Sequence, residues 1–125
     1  MKVFILEDDS LRIEKFKQAT SSHEVTIATS VEEGKALWSP PYDVVLLDHD
    51  LGSETFVPSE DPNTGFIFAK FIKDSLTNEE IVIHSFNPDG ARNIFAMLVG
   101  TGKSIELFPF GDWLLSSLKN MASSS

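Results

Sequence analysis

Val44-Val45-Leu46-Leu47-Asp48-His49-Asp50 is the stretch on which the fold turns. Four apolar residues bounded by polar ones are too few for a helix. A strand that is apolar on both faces belongs in the middle of a parallel sheet, covered on each side by helices. This one ends abruptly in three ionisable side chains, so the cover must leave room for charge at the carboxyl edge.

Outward from this strand the pattern repeats. Val3-Phe4-Ile5-Leu6 runs into Glu7-Asp8-Asp9, and Ile81-Val82-Ile83 runs into His84-Ser85. Val25-Thr26-Ile27-Ala28 and Ile105-Glu106-Leu107-Phe108 complete a set of five strands. Between them lie helical patterns. Leu11, Ile13, Phe16 and Ala19 form an apolar stripe among Arg12, Glu14, Lys15 and Lys17, with Ser10 as the expected cap. Ser30 and Glu33 form a capping box before Ala36, Leu37 and Trp38, and Pro40-Pro41 stops that helix. Further helices carry Phe66, Ile67, Ala69, Phe71 and Ile72, then Ile94, Phe95, Met97 and Leu98 from a start near Asp89, then Leu114, Leu115 and Leu118 behind a cap at Asp112. Strand and helix alternate five times, which predicts right-handed crossovers and a five-stranded parallel sheet of order 2-1-3-4-5 with helices on both faces. A single domain over residues 1–122 is expected, with residues 123–125 as a disordered tail and a long loop from Leu51 to Asn63.

With 19 acidic against 10 basic side chains the net charge is −9, which repels duplex nucleic acid and anionic membrane. No apolar run reaches the roughly 18 residues needed to cross a bilayer, and the first strand meets its acids too soon for a signal peptide. A cytoplasmic protein is expected. The chain has no cysteine, so any metal must take oxygen or imidazole ligands.

In sheets of this order the site lies beyond the carboxyl ends of the strands, where the first and third strands diverge. Glu7, Asp8 and Asp48 converge there, and their mutual repulsion calls for a cation, with Mg2+ (or Mn2+) as the natural candidate. The alternative is that the acids only cap helices.

Leu6-Glu7-Asp8-Asp9, Leu46-Leu47-Asp48 and Ile83-His84-Ser85 resemble the motifs of response-regulator receiver domains, over nearly the whole chain. The resemblance implies a flavodoxin-like three-layer sandwich. It implies that Glu7, Asp8 and the backbone carbonyl of Asp50 hold magnesium, that Asp48 stands at the phosphoacceptor position, and that Ser85 hydrogen-bonds the phosphoryl group. One position departs: the lysine that pairs with the phosphoryl group is here Phe108, before Pro109. Asp-His-Asp-Leu-Gly over 48–52 and His-Ser-x-Asn over 84–87 resemble a divergent branch, the cyclic-phosphate processing receiver domains, associated with phage and bacterial conflict systems.

Cleaving a phosphodiester needs a proton donor, a proton acceptor and neutralisation of developing charge. His49 and His84, which follow adjacent strands, suit the proton roles, and Asn87 is a candidate to orient the phosphate. Either histidine could instead be a metal ligand or have no role, and His23 is assigned none. For Asp50 three readings stay open: metal ligand, partner orienting His49, or turn former before Gly52.

Three further signals are set aside or kept as alternatives. Gly100-Thr101-Gly102-Lys103-Ser104 is like the end of a P-loop but follows a helix and precedes a strand, so it reads as a helix terminator and turn. Asp48-His49-Asp50 is also similar to the nucleophile motif of haloacid-dehalogenase-like phosphatases, without that family's later acidic pair. Phe86 and Phe110, in loops at the carboxyl edge, read as a lid or dimer contact before a nucleobase platform.

Two functions follow as expectations. One is a metal-assisted phosphoesterase acting on a cyclic or esterified phosphate, with Asp48, His49, His84, Ser85 and Asn87 in the reaction and a phosphate-containing small molecule or nucleotide as partner. The other is a receiver or pseudo-receiver in phosphorelay signalling, docking on a protein partner or a second copy.

Overall fold

The computed structural model describes residues 1–52 and 57–124, with side chains as far as residue 120. Strands β1 (Lys2–Leu6), β2 (Glu24–Ala28), β3 (Val44–Leu47), β4 (Glu80–Ile83) and β5 (Ser104–Leu107) form one parallel sheet in the order β2-β1-β3-β4-β5. Helices α1 (Ser10–Ala19), α2 (Val31–Leu37), α3 (Gly65–Ile72), α4 (Pro88–Leu98) and α5 (Asp112–Ser124) connect and close it, with a 3-10 turn over Lys73–Ser75 after α3. This is the expected sheet order and the receiver fold. Residues 53–56 of the expected long loop, and Ser125 of the expected tail, lie outside the described residues, while α5 itself runs on to Ser124.

Side chains of successive strand residues point to opposite faces, and this divides the interior in two. Phe4, Leu6, Val45, Leu47, Ile81 and Ile83 face one side and pack against α2, α3 and α4. Val3, Ile5, Val44 and Leu46 face the other and pack against Phe16 and Ala19 of α1 and Leu114 and Leu118 of α5. The central strand is buried at every position, so its only polar exit is at its ends.

The helix starts decide what reaches the carboxyl edge. Asp9, not Ser10, caps α1: its backbone is extended and its carboxylate accepts the Arg12 N–H at 2.9 Å, while Ser10 is already in the helix. At α2 the box is shifted by one residue, since the Ser30 hydroxyl accepts from Glu33 N–H but the Glu33 carboxylate accepts from Thr29 rather than Ser30. Asn87 caps α4, whose first residue is Pro88, ahead of the expected Asp89. Asp112 lies inside the first turn of α5, where its charge favours the amino-terminal dipole, and Gly111 carbonyl accepts the first helical bond. Gly100 and Gly102, both at positive φ, turn the chain from α4 into β5 as expected of a terminator.

Gly65, the first residue of α3, lies against the end of β3. Its N–H donates to the His49 carbonyl at 2.9 Å, and a Cβ at this position would stand 1.9 Å from the Asp48 carbonyl oxygen. Gly111 has nothing within 4 Å of such a Cβ. Gly65→Ala is expected to destabilise the fold by about 1–3 kcal/mol through forced backbone movement, and Gly111→Ala to be near neutral. Urea denaturation of both variants checks this, and equal midpoints would contradict the close approach.

Candidate functional site

The register aligns Leu6 of β1, Leu47 of β3 and Ile83 of β4. One residue further on, Glu7, Asp48 and His84 therefore form the next cross-strand row. By alternation all three turn toward α1 and α5, whereas His49, the residue after Asp48, turns toward α4, where Gly90 and Asn87 meet its ring. Glu7 and His84 are fully buried and Asp48 nearly so. Their ligand atoms lie within 4.8 Å of one another.

Each member of the row has a defined setting. Glu7 Oε2 accepts the N–H groups of Asp8 and Asp9 at 3.0 and 3.1 Å. Glu7 Oε1 stands 3.2 Å from His84 Nε2 and 3.5 Å from the Arg12 guanidinium. Asp48 Oδ1 accepts the N–H of His49, and Oδ2 lies 3.9 Å from Arg12. The His84 ring meets Phe16 edge to face. A carboxylate can only accept, so Nε2 of His84 carries the proton that faces Glu7. Nδ1 of His84 is buried and without a hydrogen-bond partner among the described residues.

The two carboxyl groups are driven apart in acidity. Burial pushes Asp48 up, and the charge of Glu7 and a hydrogen bond with it push it further, to about 8, against the opposing pull of the His49 N–H and Arg12. Burial works against the charge of Glu7 too, but the hydrogen bond and charge of His84, the Asp9 N–H and Arg12 outweigh it and hold Glu7 below the usual range. Glu7 thus keeps the negative charge, and Asp48 holds a proton at neutral pH until a cation takes its place.

On the other face His49 belongs to a separate network. It is fully buried, with Nδ1 2.8 Å from Asp50 Oδ1 and Nε2 2.9 Å from Ser59 Oγ. Asp50 Oδ1 also accepts from Val57 N–H and from Asn87 Nδ2. Asn87 Oδ1 caps α4 by accepting from Gly90 N–H, and Ser85 Oγ accepts from Asn87 N–H. Gly90 is required here, since a Cβ would stand 2.3 Å from the His49 ring. The Asp50 carboxylate makes the contact with His49 that its orienting reading requires. The ring of His49 does not enter the row that Asp48 and His84 share, because it follows Asp48 in the strand and so points to the opposite face. His23 precedes β2 at the amino end of the sheet, its Nε2 3.3 Å from the Leu118 carbonyl, away from the row.

A sequence-family model described as the cyclic-phosphate processing receiver domain matches residues 1–100. The chain belongs to that family. Solved structures similar to this receiver domain include the Mn2+-bound form of the response regulator Rcp1 (15% identity, 98% of this chain and 91% of that one, TM-score 0.64). The non-phosphorylated HemR receiver domain of Leptospira biflexa (18% identity, 99% and 94%, TM-score 0.68) and a CheY-like receiver domain of Methanospirillum hungatei (16% identity, 98% and 94%, TM-score 0.63) are similar too. At such identities the likeness shows the fold alone. No curated protein matches the chain in sequence.

The cyclic-phosphate processing receiver domain departs from the receiver pattern as its sequence indicates. Phe108 packs its ring against the α1/α5 core instead of presenting a charge. The cation at the crevice is Arg12, which reading α1 as a solvated polar face missed; the lost lysine was the signal to look for another cation. Ser59 was missed as well, since a serine in an aperiodic loop carries no pattern. The carboxylates fit a divalent cation: Glu7 and Asp48 lie within ligand reach of one another, with the His84 ring beside them and Arg12 as their shared counter-charge. Among the described residues no helix is long and apolar enough to cross a membrane.

The raised pKa of Asp48 makes stability pH-dependent in chelator-containing buffer. Its neutral form favours the fold, so that contribution is full below the ordinary aspartate value of about 3.9 and is lost as pH rises through about 8. Glu7 acts in the opposite sense, adding stability that is lost only as pH falls through its lowered pKa. Asp48→Asn is therefore expected to gain on the order of 1–3 kcal/mol over wild type at pH 8 and much less at pH 5, by denaturant titration. Parallel pH profiles for the two proteins would refute the buried-acid assignment.

Proposed function

We propose that this receiver domain is a metal-assisted phosphoesterase that binds and hydrolyses a cyclic phosphodiester at the Glu7–Asp48–His84 row. The observation that carries this reading is that an imidazole stands in register beside two buried carboxylates, whose nearest cation is the shared Arg12. Glu7, Asp48 and Asp8, with the Asp50 carbonyl, are the groups to hold Mg2+ or Mn2+. Such a cation, when bound, polarises a phosphoryl oxygen and neutralises the charge that develops on it.

The residues of the chain supply the rest. Hydrolysis forms a bond from a water oxygen to phosphorus, breaks one ester P–O bond, and moves a proton from the water to the departing alkoxide. His84 is the group that accepts and returns that proton. Glu7, 3.2 Å from its Nε2, orients the ring as the carboxylate of a carboxylate–histidine dyad does. His49 moves from the proton-transfer role expected of it to a positioning one: with Asp50, Asn87 and Ser59 it ties the segment after β3 to the start of α4. The phosphoacceptor reading is weaker. Phe108 packs in the core where the pairing charge of that reading would stand.

Incubation with Mg2+ or Mn2+ and a panel of cyclic mono- and dinucleotides and ribose cyclic phosphates tests this. Asp48→Asn and His84→Ala are each expected to lose turnover by at least about 100-fold, while His49→Gln lowers stability but keeps turnover per folded molecule. If no ester turns over, yet acetyl phosphate labels wild type and not Asp48→Asn, the domain is a phosphoacceptor and the hydrolase reading is wrong.

A further inference from the structure

We infer that Arg12 is the phosphate-binding residue of this site, a guanidinium delivered from α1 and held at the crevice mouth between Phe86 and Phe110. Three observations converge on it. The guanidinium carbon lies 4.9 Å from the Phe86 ring centroid and 5.4 Å from that of Phe110, within the range of cation–π attraction. Phe110 is itself seated edge to face on Phe16 of the core, so one wall is fixed by packing, while Phe86 remains half exposed. The same guanidinium faces the row, with Nη1 3.5 Å from Glu7 and 3.9 Å from Asp48.

These contacts hold the charge without using it up. Among the described residues the guanidinium meets carboxylates only beyond ordinary hydrogen-bond length, and its side chain is 28% exposed. A planar fork of five N–H donors matches two oxygens of a phosphate, a geometry that a lysine ammonium does not offer. Once a divalent cation takes the carboxylates, the fork is left facing an anion that the cation also attracts. The two loop phenylalanines thereby gain a role different from a lid or a stacking platform: they station the arginine. The ligand class is a phosphate ester with two non-bridging oxygens, as a phosphodiester has.

This inference rests on the phosphate-binding reading above, and the experiment separates the two. The full chain, in 1 mM-range Mg2+ or Mn2+ sufficient to load the site, is titrated with inorganic phosphate and with a cyclic nucleotide by calorimetry and by 31P line broadening. Wild type is compared with Arg12→Gln, Arg12→Lys and Phe86→Ala, and with Lys15→Gln, which lies exposed on the same helix, as the control. Circular dichroism confirms that each variant is folded. Arg12→Gln is expected to weaken binding of both ligands at least about tenfold, a loss of about 1.4 kcal/mol. Arg12→Lys should retain part of it, Phe86→Ala should weaken it less than Arg12→Gln, and Lys15→Gln should match wild type. If wild type binds phosphate and Arg12→Gln binds it equally well while binding Mn2+ more tightly, Arg12 is only a counter-charge to the acids and the inference is overturned, with the acidic site left standing. If wild type binds neither ligand, the phosphate-binding reading falls and takes this one with it.

Discussion

Two carboxylates buried side by side at the ends of adjacent strands are the constraint to which the rest of this site answers. Charge in a low-dielectric interior is costly unless it is paired, hydrogen-bonded or neutralised by a proton. Glu7 receives two backbone N–H groups, the His84 imidazole and part of Arg12. Asp48 receives one N–H and the same arginine nitrogen from farther away, at 3.9 Å. The unequal supply leaves one carboxylate charged and the other protonated, and it makes the row receptive to a divalent cation.

The substitution of Phe108 for the lysine of ordinary receiver domains is part of the same balance. An apolar ring there joins Phe16, Leu114 and Leu118 in the α1/α5 core, and the positive charge comes instead from the first turn of α1. A cation carried on α1 and flanked by Phe86 and Phe110 reaches the crevice from its rim, not from its edge strand. On the opposite face, His49, Asp50, Ser59 and Asn87 are joined by hydrogen bonds under Gly90. The family-specific residues after β3 and β4 thus divide between the row and this clasp, and the clasp fixes how α4 begins.

Much of this was legible beforehand. The apolar runs, their acidic ends and the helical stripes specify the sheet order and the edge that carries chemistry, because both follow from local periodicity and from the handedness of crossovers. The alternation of side chains even separates Asp48 from His49, adjacent in sequence and opposed in space. What was misread was the pairing of the two histidines, since each follows a central strand but at a different distance: His84 is the first residue past β4, in register with Asp48, and His49 is the second past β3.

Sequence alone determined the α/β class, the strand order, the acidic crevice and the loss of the family lysine, all of which depend on residue type and short-range spacing. Only the tertiary structure decided that Glu7, Asp48 and His84 form one buried row, that His49 is committed to Asp50 and Ser59, and that Arg12 reaches the carboxylates. Those outcomes depend on strand register, on which face each side chain takes past the strand end, and on how helix α1 leans over the sheet. Such relations arise between segments distant along the chain, and no local pattern of residues encodes them.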